Sequence, residues 1–208
     1  MNKNNTNDDN KLHIVVARYN EDINWLTPYF DYCKFYNKGL DDINVPCVKL
    51  DNIGRESHTY LSYIIDNYDN LPLYVVFIQG KLDDIYVCDD KSNIEVLNQI
   101  IKSTINNNIS DNHDDYKQFK YSIKYDYVEF TRNVKNTKNI SLGKWCETYV
   151  KQPFPEIDRW YKGACFGVSR ERILRHDINF YKRLLNTLDN VNPISGYYLE
   201  RLWYELFK

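Results

Sequence analysis

The 208-residue chain has no excess of charge of either sign: 27 basic residues stand against 29 acidic ones, for a formal net charge of −2. A nucleic-acid face needs clustered positive charge, so DNA and RNA are not expected as partners. No apolar run approaches the ~18 residues that a membrane span requires. The five cysteines, Cys33, Cys47, Cys88, Cys146 and Cys165, are odd in number, scattered and without a Cys-x-x-Cys pair. That argues against a disulfide framework and a structural zinc site, and a reducing cytoplasm is the expected location. Neither G-x-G-x-x-G nor G-x-x-x-x-G-K-[ST] occurs, which counts against a dinucleotide fold and a P-loop. Met1 to Asn10 is rich in Asn and Asp and has no apolar core, unlike a signal or transit peptide. Residues 1–10 are expected to be a disordered lead-in, followed by one domain over 11–208, since no repeat or linker interrupts the rest.

What is present is a set of short apolar runs. Leu73 to Ile78 has no helical period and is rich in aromatic and β-branched residues, the pattern of a strand covered on both faces. Leu12–Ala17 reads the same way. Asn20 is the expected cap of a short helix carrying Ile23, Trp25 and Leu26 and limited by Pro28. Cys33–Tyr36 and Pro46–Leu50 are further strands. After Gly54, Leu61, Ile64, Ile65 and Tyr68 recur at i, i+3, i+4 and i+7, one helical face. Strand, helix, strand with short links is the grammar of a parallel sheet.

Ser92-Asn93-Ile94-Glu95 is a capping box opening a helix with Leu97, Ile100, Ile101 and Ile105 on one face. Residues 106–115 are expected to be a loop without an apolar anchor. Alternation over 118–127 predicts a half-exposed strand. A short helix over 145–150, a strand over 160–168, a helix capped by Ser169 and one holding Tyr181, Leu184, Leu185 and Leu188 follow. A last helix after Gly196 packs Leu199, Leu202, Trp203 and Leu206 inward. For the 19 Tyr and four Trp, the plain reading is half-buried core rings, and the sharper one a ring-lined cleft.

Three groups of residues can carry chemistry. Asp83 and Asp84 lie beyond the central strand, where open α/β sheets bind ligands. Paired carboxylates suit a hard cation such as Mg²⁺ or Mn²⁺, although a solvated loop explains them equally well. Arg18, in Arg18-Tyr19-Asn20-Glu21-Asp22, and Arg55 stand at strand ends where two guanidinium groups can clamp a diphosphate; surface ion pairs are the alternative. Glu200, beside the stripe of the last helix and among rings, is a candidate general base, with pairing to Arg201 or Lys208 as the duller role. His58 and His176 have no Ser or Cys elbow near them in sequence, so a hydrolase triad gains little.

Several stretches resemble one family together: Val15 to Asp22, Gly54-Arg55-Glu56-Ser57-His58-Thr59-Tyr60-Leu61, Phe77-Ile78-Gln79-Gly80, Gly163 to Glu171, and Gly196 to Trp203. The chain from Leu12 to Phe207 is similar to an uncharacterised domain family of fungi, algae, bacteria and large DNA viruses whose members look like GT-A-type glycosyltransferases. The resemblance implies a GT-A-like, Rossmann-related α/β fold with a mostly parallel sheet, and a location in host cytoplasm if the protein is viral. It implies that Ala17, Arg18, Tyr19, Asn20 and Glu21 hold the nucleotide of a sugar donor, with Arg55 facing base or diphosphate and Gln79, Gly80 and Lys81 lining the floor. Gln79-Gly80-Lys81 stands where such enzymes keep an Asp-x-Asp, so a Mn²⁺ or Mg²⁺ ligand would shift to Asp83 and Asp84, or Lys81 would supply part of the charge. The segment around Glu200 resembles the one delivering the base of inverting enzymes.

The expected function is therefore transfer of a hexosyl or deoxyhexosyl group from a nucleotide-sugar, a UDP-sugar in the first instance, to a glycan or other hydroxyl acceptor. A non-catalytic nucleotide- or carbohydrate-binding domain is the alternative. A metal-dependent phosphoesterase using Asp83, Asp84 and His58 is a third class, short of ligands.

Overall fold

The computed structural model describes residues 11–82, 91–112, 122–129 and 140–208, with the backbone of 114–115. In chain order the elements are β1 (Leu12–Arg18), a 3-10 helix (Asn24–Tyr32), β2 (Cys33–Asn37), β3 (Cys47–Lys49), α1 (Arg55–Asp66) and β4 (Tyr74–Gln79). They continue with α2 (Asn93–Asn107), β5 (Asp114–Asp115), α3 (Leu142–Trp145) prolonged by a π-helical turn (Cys146–Val150), β6 (Arg159–Trp160) and β7 (Phe166–Ser169). Helices α4 (Arg170–Ile173), α5 (Ile178–Leu185) and α6 (Ile194–Phe207) complete the chain.

Five strands form one sheet in the order β3-β2-β1-β4-β7. The first four are parallel, and β7 pairs antiparallel with β4, Tyr74 opposite Ser169 and Phe77 opposite Phe166. Successive side chains of a strand point to opposite faces, so the unbroken apolar runs of β1 and β4 feed two cores. Ile14, Val16, Val76 and Ile78 pack with Leu26 of the 3-10 helix and Val96, Leu97 and Ile100 of α2. Val15, Val75 and Phe77 pack on the other face with α1, α5 and α6 through Tyr60, Ile64, Leu184, Leu199 and Trp203. The chain is one α/β domain with a mostly parallel sheet flanked by helices. Tyr60, Tyr63, Tyr161, Tyr181 and Tyr198 are all buried, so for these rings the plain reading holds. Phe77 stands at the centre of this ring packing, 4.9 Å from Tyr60 and 5.2 Å from Phe166 between ring centroids. Burying such a ring contributes about 1.5–3 kcal/mol.

Four local expectations change. The first helix starts at Asn24, with Pro28 inside it and no side-chain cap at Ile23; Asn20 instead accepts a bond from Leu40 N–H, 2.9 Å. The strand expected over 160–168 is two short strands, because Gly163 (φ 63°) and Ala164 (φ 54°) turn the chain out of the extended region between them. Of the strand expected over 118–127, residues 118–121 lie outside the described residues. In the remainder only Ile123 bridges, to Ile157, because a turn closed by Tyr127 N–H on Lys124 O (3.0 Å) follows. The loop after α2 is anchored after all: Ser110 N–H donates to Gly167 O (2.9 Å) and Gly167 N–H to Ser110 Oγ (3.0 Å). The capping box at Ser92 and the cap at Ser169 form as their sequences specify. The expectation for 1–10 falls outside the described residues.

Candidate functional site

The chain leaves β1 outward through β2 and β3, then returns to the opposite side of β1 as β4. The carboxyl ends of β1 and β4 therefore flank a topological switch point, the crevice where open α/β sheets bind ligands. The two ends are drawn together: Gly80 N–H donates to Ala17 O at 3.0 Å, and Trp25 Nε1 donates to Gly80 O at 2.8 Å. A Cβ on Gly80 would stand 2.9 Å from Glu21 Oε2, so the close approach requires glycine. Glu21 is spent on the turn itself, its Oε2 accepting from the Tyr19 and Asn20 N–H groups at 2.6 and 3.2 Å. Tyr19, Asn20 and Lys81 are exposed around the crevice.

Arg18 ends β1 as its sequence context suggests, but its donors are already engaged. Its side chain is 3% exposed. Nε donates to Glu21 O (2.9 Å), Nη1 to Asn37 Oδ1 (3.0 Å) and Leu40 O (3.3 Å), and Nη2 to Asp42 Oδ1 (2.7 Å). A guanidinium occupied by protein acceptors on every nitrogen ties the loop after β1 to the loop after β2; a diphosphate clamp needs those donors open. Arg18 also lines a pocket of about 450 Å³ whose other polar groups are Asn20, Asn24 and Asn44 with the acids Glu21, Asp22 and Asp42, and whose apolar walls include Phe30 and Val45.

The second half of the site is built by α1 and α6. Gly54 (φ 64°) and Arg55 (φ 54°) are both left-handed, a conformation that costs a non-glycine residue of order 1 kcal/mol or more and tends to mark functional positions. Lys38 Nζ holds this turn, donating to Ile53 O (2.6 Å) and Arg55 O (2.5 Å); burial pulls its pKa down to about 8, against the attraction of Glu56. The Arg55 guanidinium lies 4.4 Å above the Tyr197 ring, and its Nε is 3.5 Å from Glu56 Oε2. A Cβ on Gly196 would meet Arg55 Cδ at 3.2 Å, so that glycine lets α6 approach. Burial opposes the Arg55 charge, but Glu56, Tyr197 and Glu200 outweigh it and hold its pKa up. Burial pushes the Glu56 carboxyl up, partly countered by Arg55.

Glu200 is 13% exposed and accepts from Arg201 Nη1 at 3.1 Å and from Gly163 N–H at 3.1 Å. Gly163 O in turn accepts from Gln79 Nε2 at 2.7 Å. A single residue, Gly163, thus connects the tip of β4 to the carboxylate on α6 through its two flanking peptide groups. Around it the Tyr60 hydroxyl and Glu56 Oε1 are buried with no hydrogen-bond partner among the described residues.

Of the residues proposed from sequence, the structure brings Ala17, Tyr19, Asn20, Glu21, Gln79, Gly80 and Lys81 to the switch point, and Arg55 and Glu200 to the α1–α6 contact. Asp83 and Asp84 lie outside the described residues. Among the described residues no group of three or more His, Cys, Asp or Glu is placed to hold a metal ion. No described helix is long and apolar enough to cross a membrane. His58 sits on the first turn of α1, its pKa pulled down to about 4 by burial and Lys38. The Glu200–Arg201 pairing that the sequence offered as the alternative role of Glu200 forms; sequence reasoning did not single out Glu56, Lys38 or Glu129.

A family model described as Protein of unknown function (DUF3431) matches residues 14–208. The chain belongs to the DUF3431 family. The match runs from β1 to the end of α6, so both halves of the site lie within the DUF3431 domain. No curated protein and no solved structure matches this DUF3431 chain.

Proposed function

We propose that this DUF3431 protein is a glycosyltransferase of GT-A-like fold that moves a sugar from a nucleotide donor, a UDP-sugar in the first instance, to a hydroxyl acceptor with inversion. The observation that carries the reading is the relay Gln79–Gly163–Glu200, which joins a carboxylate on α6 to the ligand-binding edge of the sheet. The Asn-rich pocket of about 450 Å³ suits a nucleobase, with amides to read its edge and Phe30 and Val45 as walls, and it falls in the size range of small-molecule sites. Arg55, held cationic beside the crevice, faces the diphosphate. Arg18 acts indirectly, by fixing the loops that bound the pocket.

In the reaction the Glu200 carboxylate takes the proton of the acceptor hydroxyl. The acceptor oxygen then bonds to the anomeric carbon from the face opposite the diphosphate. The bond from that carbon to the phosphate oxygen breaks, its electron pair leaving with the nucleoside diphosphate. Arg55 stabilises the negative charge that develops there, the kind of electrostatic term that is usually largest in catalysis. A Mn²⁺ or Mg²⁺ ion on Asp83 and Asp84, when bound, would supply further positive charge to the leaving group. The Glu200–Arg201 ion pair is the observation favouring a second reading, a non-catalytic binding domain in which that carboxylate is structural.

Thermal shift against UDP, GDP, CMP and their sugars, with and without Mn²⁺, separates these readings. A nucleotide at about 100 times its Kd adds roughly 2.7 kcal/mol, or about 5–10 °C for a domain of this size. Silence with every nucleotide sinks the transferase reading. Stabilisation by UDP without sugar-dependent UDP release favours the binding domain. An Asp84→Ala protein that keeps a Mn²⁺-dependent shift removes the cation from Asp84.

A further inference from the structure

Two carboxylates share the field of Arg55, and they are differently equipped. Glu200 accepts from Gly163 N–H and from Arg201 Nη1, both at 3.1 Å, and Arg201 Nη2 stands 3.6 Å from Glu129 Oε2. Glu56 has its Oε2 3.5 Å from Arg55 Nε, too long for a good hydrogen bond. Its side chain is 7% exposed, and its Oε1 is buried without a hydrogen-bond partner among the described residues. Tyr60, one turn further along α1, is buried with its hydroxyl equally unpartnered.

The charged groups facing Glu56 are Arg55 of its own helix, Lys38 beyond β2 and Glu200 of α6. The Tyr60 hydroxyl and the Cys165 thiol ahead of β7 face it as well, and burial keeps both neutral. Lys38 Nζ is engaged by the Ile53 and Arg55 carbonyls, which leaves Arg55 as the ion-pair partner of Glu56. A buried carboxylate keeps its charge while a cation compensates it. An anion at Arg55 draws on that compensation and adds a like charge nearby, and both changes favour the neutral acid. A third of the Arg55 side chain is exposed, lying over the Tyr197 ring, so an anion meets it from solvent while Glu56 stays covered. Glu200 keeps its two donors when this happens, whereas Glu56 Oε1 has none to keep.

We propose that Glu56 takes up one proton from solvent when an anion, the donor diphosphate in the transferase reading, settles on Arg55. The diphosphate rests on that reading; the proton rests on the Arg55–Glu56 pair alone. The protonated acid is the form that accepts the anion. Affinity is therefore full while Glu56 is neutral in the free protein, and falls by up to about tenfold per pH unit once it ionises. Burial already pushes this carboxyl up, which moves the change toward neutral pH. The test is calorimetric titration of the full chain with UDP-glucose and with sulfate, each in two buffers of different ionisation enthalpy, between about pH 6 and 7.5. Both anions keep a constant charge there, His13 and His58 are held down at about 4, and Lys38 titrates higher, at about 8. Uptake rises toward one proton per anion as the pH is raised, and affinity falls with it. Glu56→Gln, of the same shape, binds the anion without uptake and with an affinity that is flat over the range. Binding without uptake in the wild type, or uptake that survives in Glu56→Gln, overturns the proposal, and so does silence towards both anions. Sulfate binding with uptake beside silence towards UDP-glucose supports it and counts against the transferase reading instead.

Discussion

Arg18→Ala separates a structural guanidinium from a ligand-binding one. Arg18 is 4% exposed and makes four hydrogen bonds to the loops after β1 and β2. The contact with Asp42 is worth little by itself, because that carboxylate is 51% exposed and solvent screens it. The Glu21 carbonyl loses its charged donor, while Asn37 Oδ1 keeps the Gly39 N–H at 3.0 Å and Leu40 O keeps Asn37 Nδ2 at 2.7 Å. Bonds to a charged group contribute about 1.5–3 kcal/mol each when buried, and the one orphaned carbonyl with partial replacement by water gives about 1–3 kcal/mol. For a domain of roughly 200 residues that lowers Tm by about 2–12 °C, with Arg18→Lys recovering only part because an ammonium cannot span the same fork. The assay is thermal or urea unfolding of the ligand-free protein. An unliganded Tm within about 1 °C of wild type, coupled to lost nucleotide affinity, would refute this account and return Arg18 to the diphosphate.

Gln79→Leu removes the donor to Gly163 O, so turnover falls about 10-fold or more while donor Kd stays within about threefold; steady-state kinetics beside a nucleotide titration checks this, and unchanged kcat refutes it. His13 donates to or accepts from the Tyr63 hydroxyl at 2.6 Å, and burial, with Lys34 nearby, pulls its pKa down from 6.5 to about 4. The unfolded chain then binds the extra proton first, so stability is full above pH 6.5 and is lost on descent to about pH 4, by about 1–3 kcal/mol from this group. Urea midpoints between pH 4 and 7 should fall less in His13→Gln. A Cβ at Gly167 would come within 2.0 Å of Thr104 Oγ1, so Gly167→Ala costs about 1–3 kcal/mol by overpacking; an unchanged unfolding midpoint contradicts the packing described.

The strands were legible because their signal is local. β1 and β4 show unbroken apolar runs, and the two-faced burial of Val75, Val76, Phe77 and Ile78 follows from those runs alone. Caps at Ser92 and Ser169 were equally visible, since a capping box is written within four residues. What could not be read was anything decided by distant chain. Alternation over 118–127 is a strand pattern, yet no partner strand pairs along its described part, and a turn forms there instead. Gly163 and Ala164 look like part of a strand until their left-handed conformation is seen. At the site, sequence found residues near the switch point but misjudged Arg18, because its acceptors on Asn37, Leu40 and Asp42 are about 20 positions away. Glu56 escaped for the same reason, since its burial exists only once α6 packs against α1, whereas the neighbouring Glu200–Arg201 pair was readable in the sequence.

The most direct test of the central claim compares wild type with Glu200→Gln in sugar-dependent UDP release from UDP-sugars. The amide keeps the shape of the side chain and can still accept from Gly163 N–H, but it cannot take a proton. The account predicts a fall of about 10²–10⁴ in kcat, with nucleotide Kd within about threefold of wild type. Equal turnover in the two proteins would contradict it.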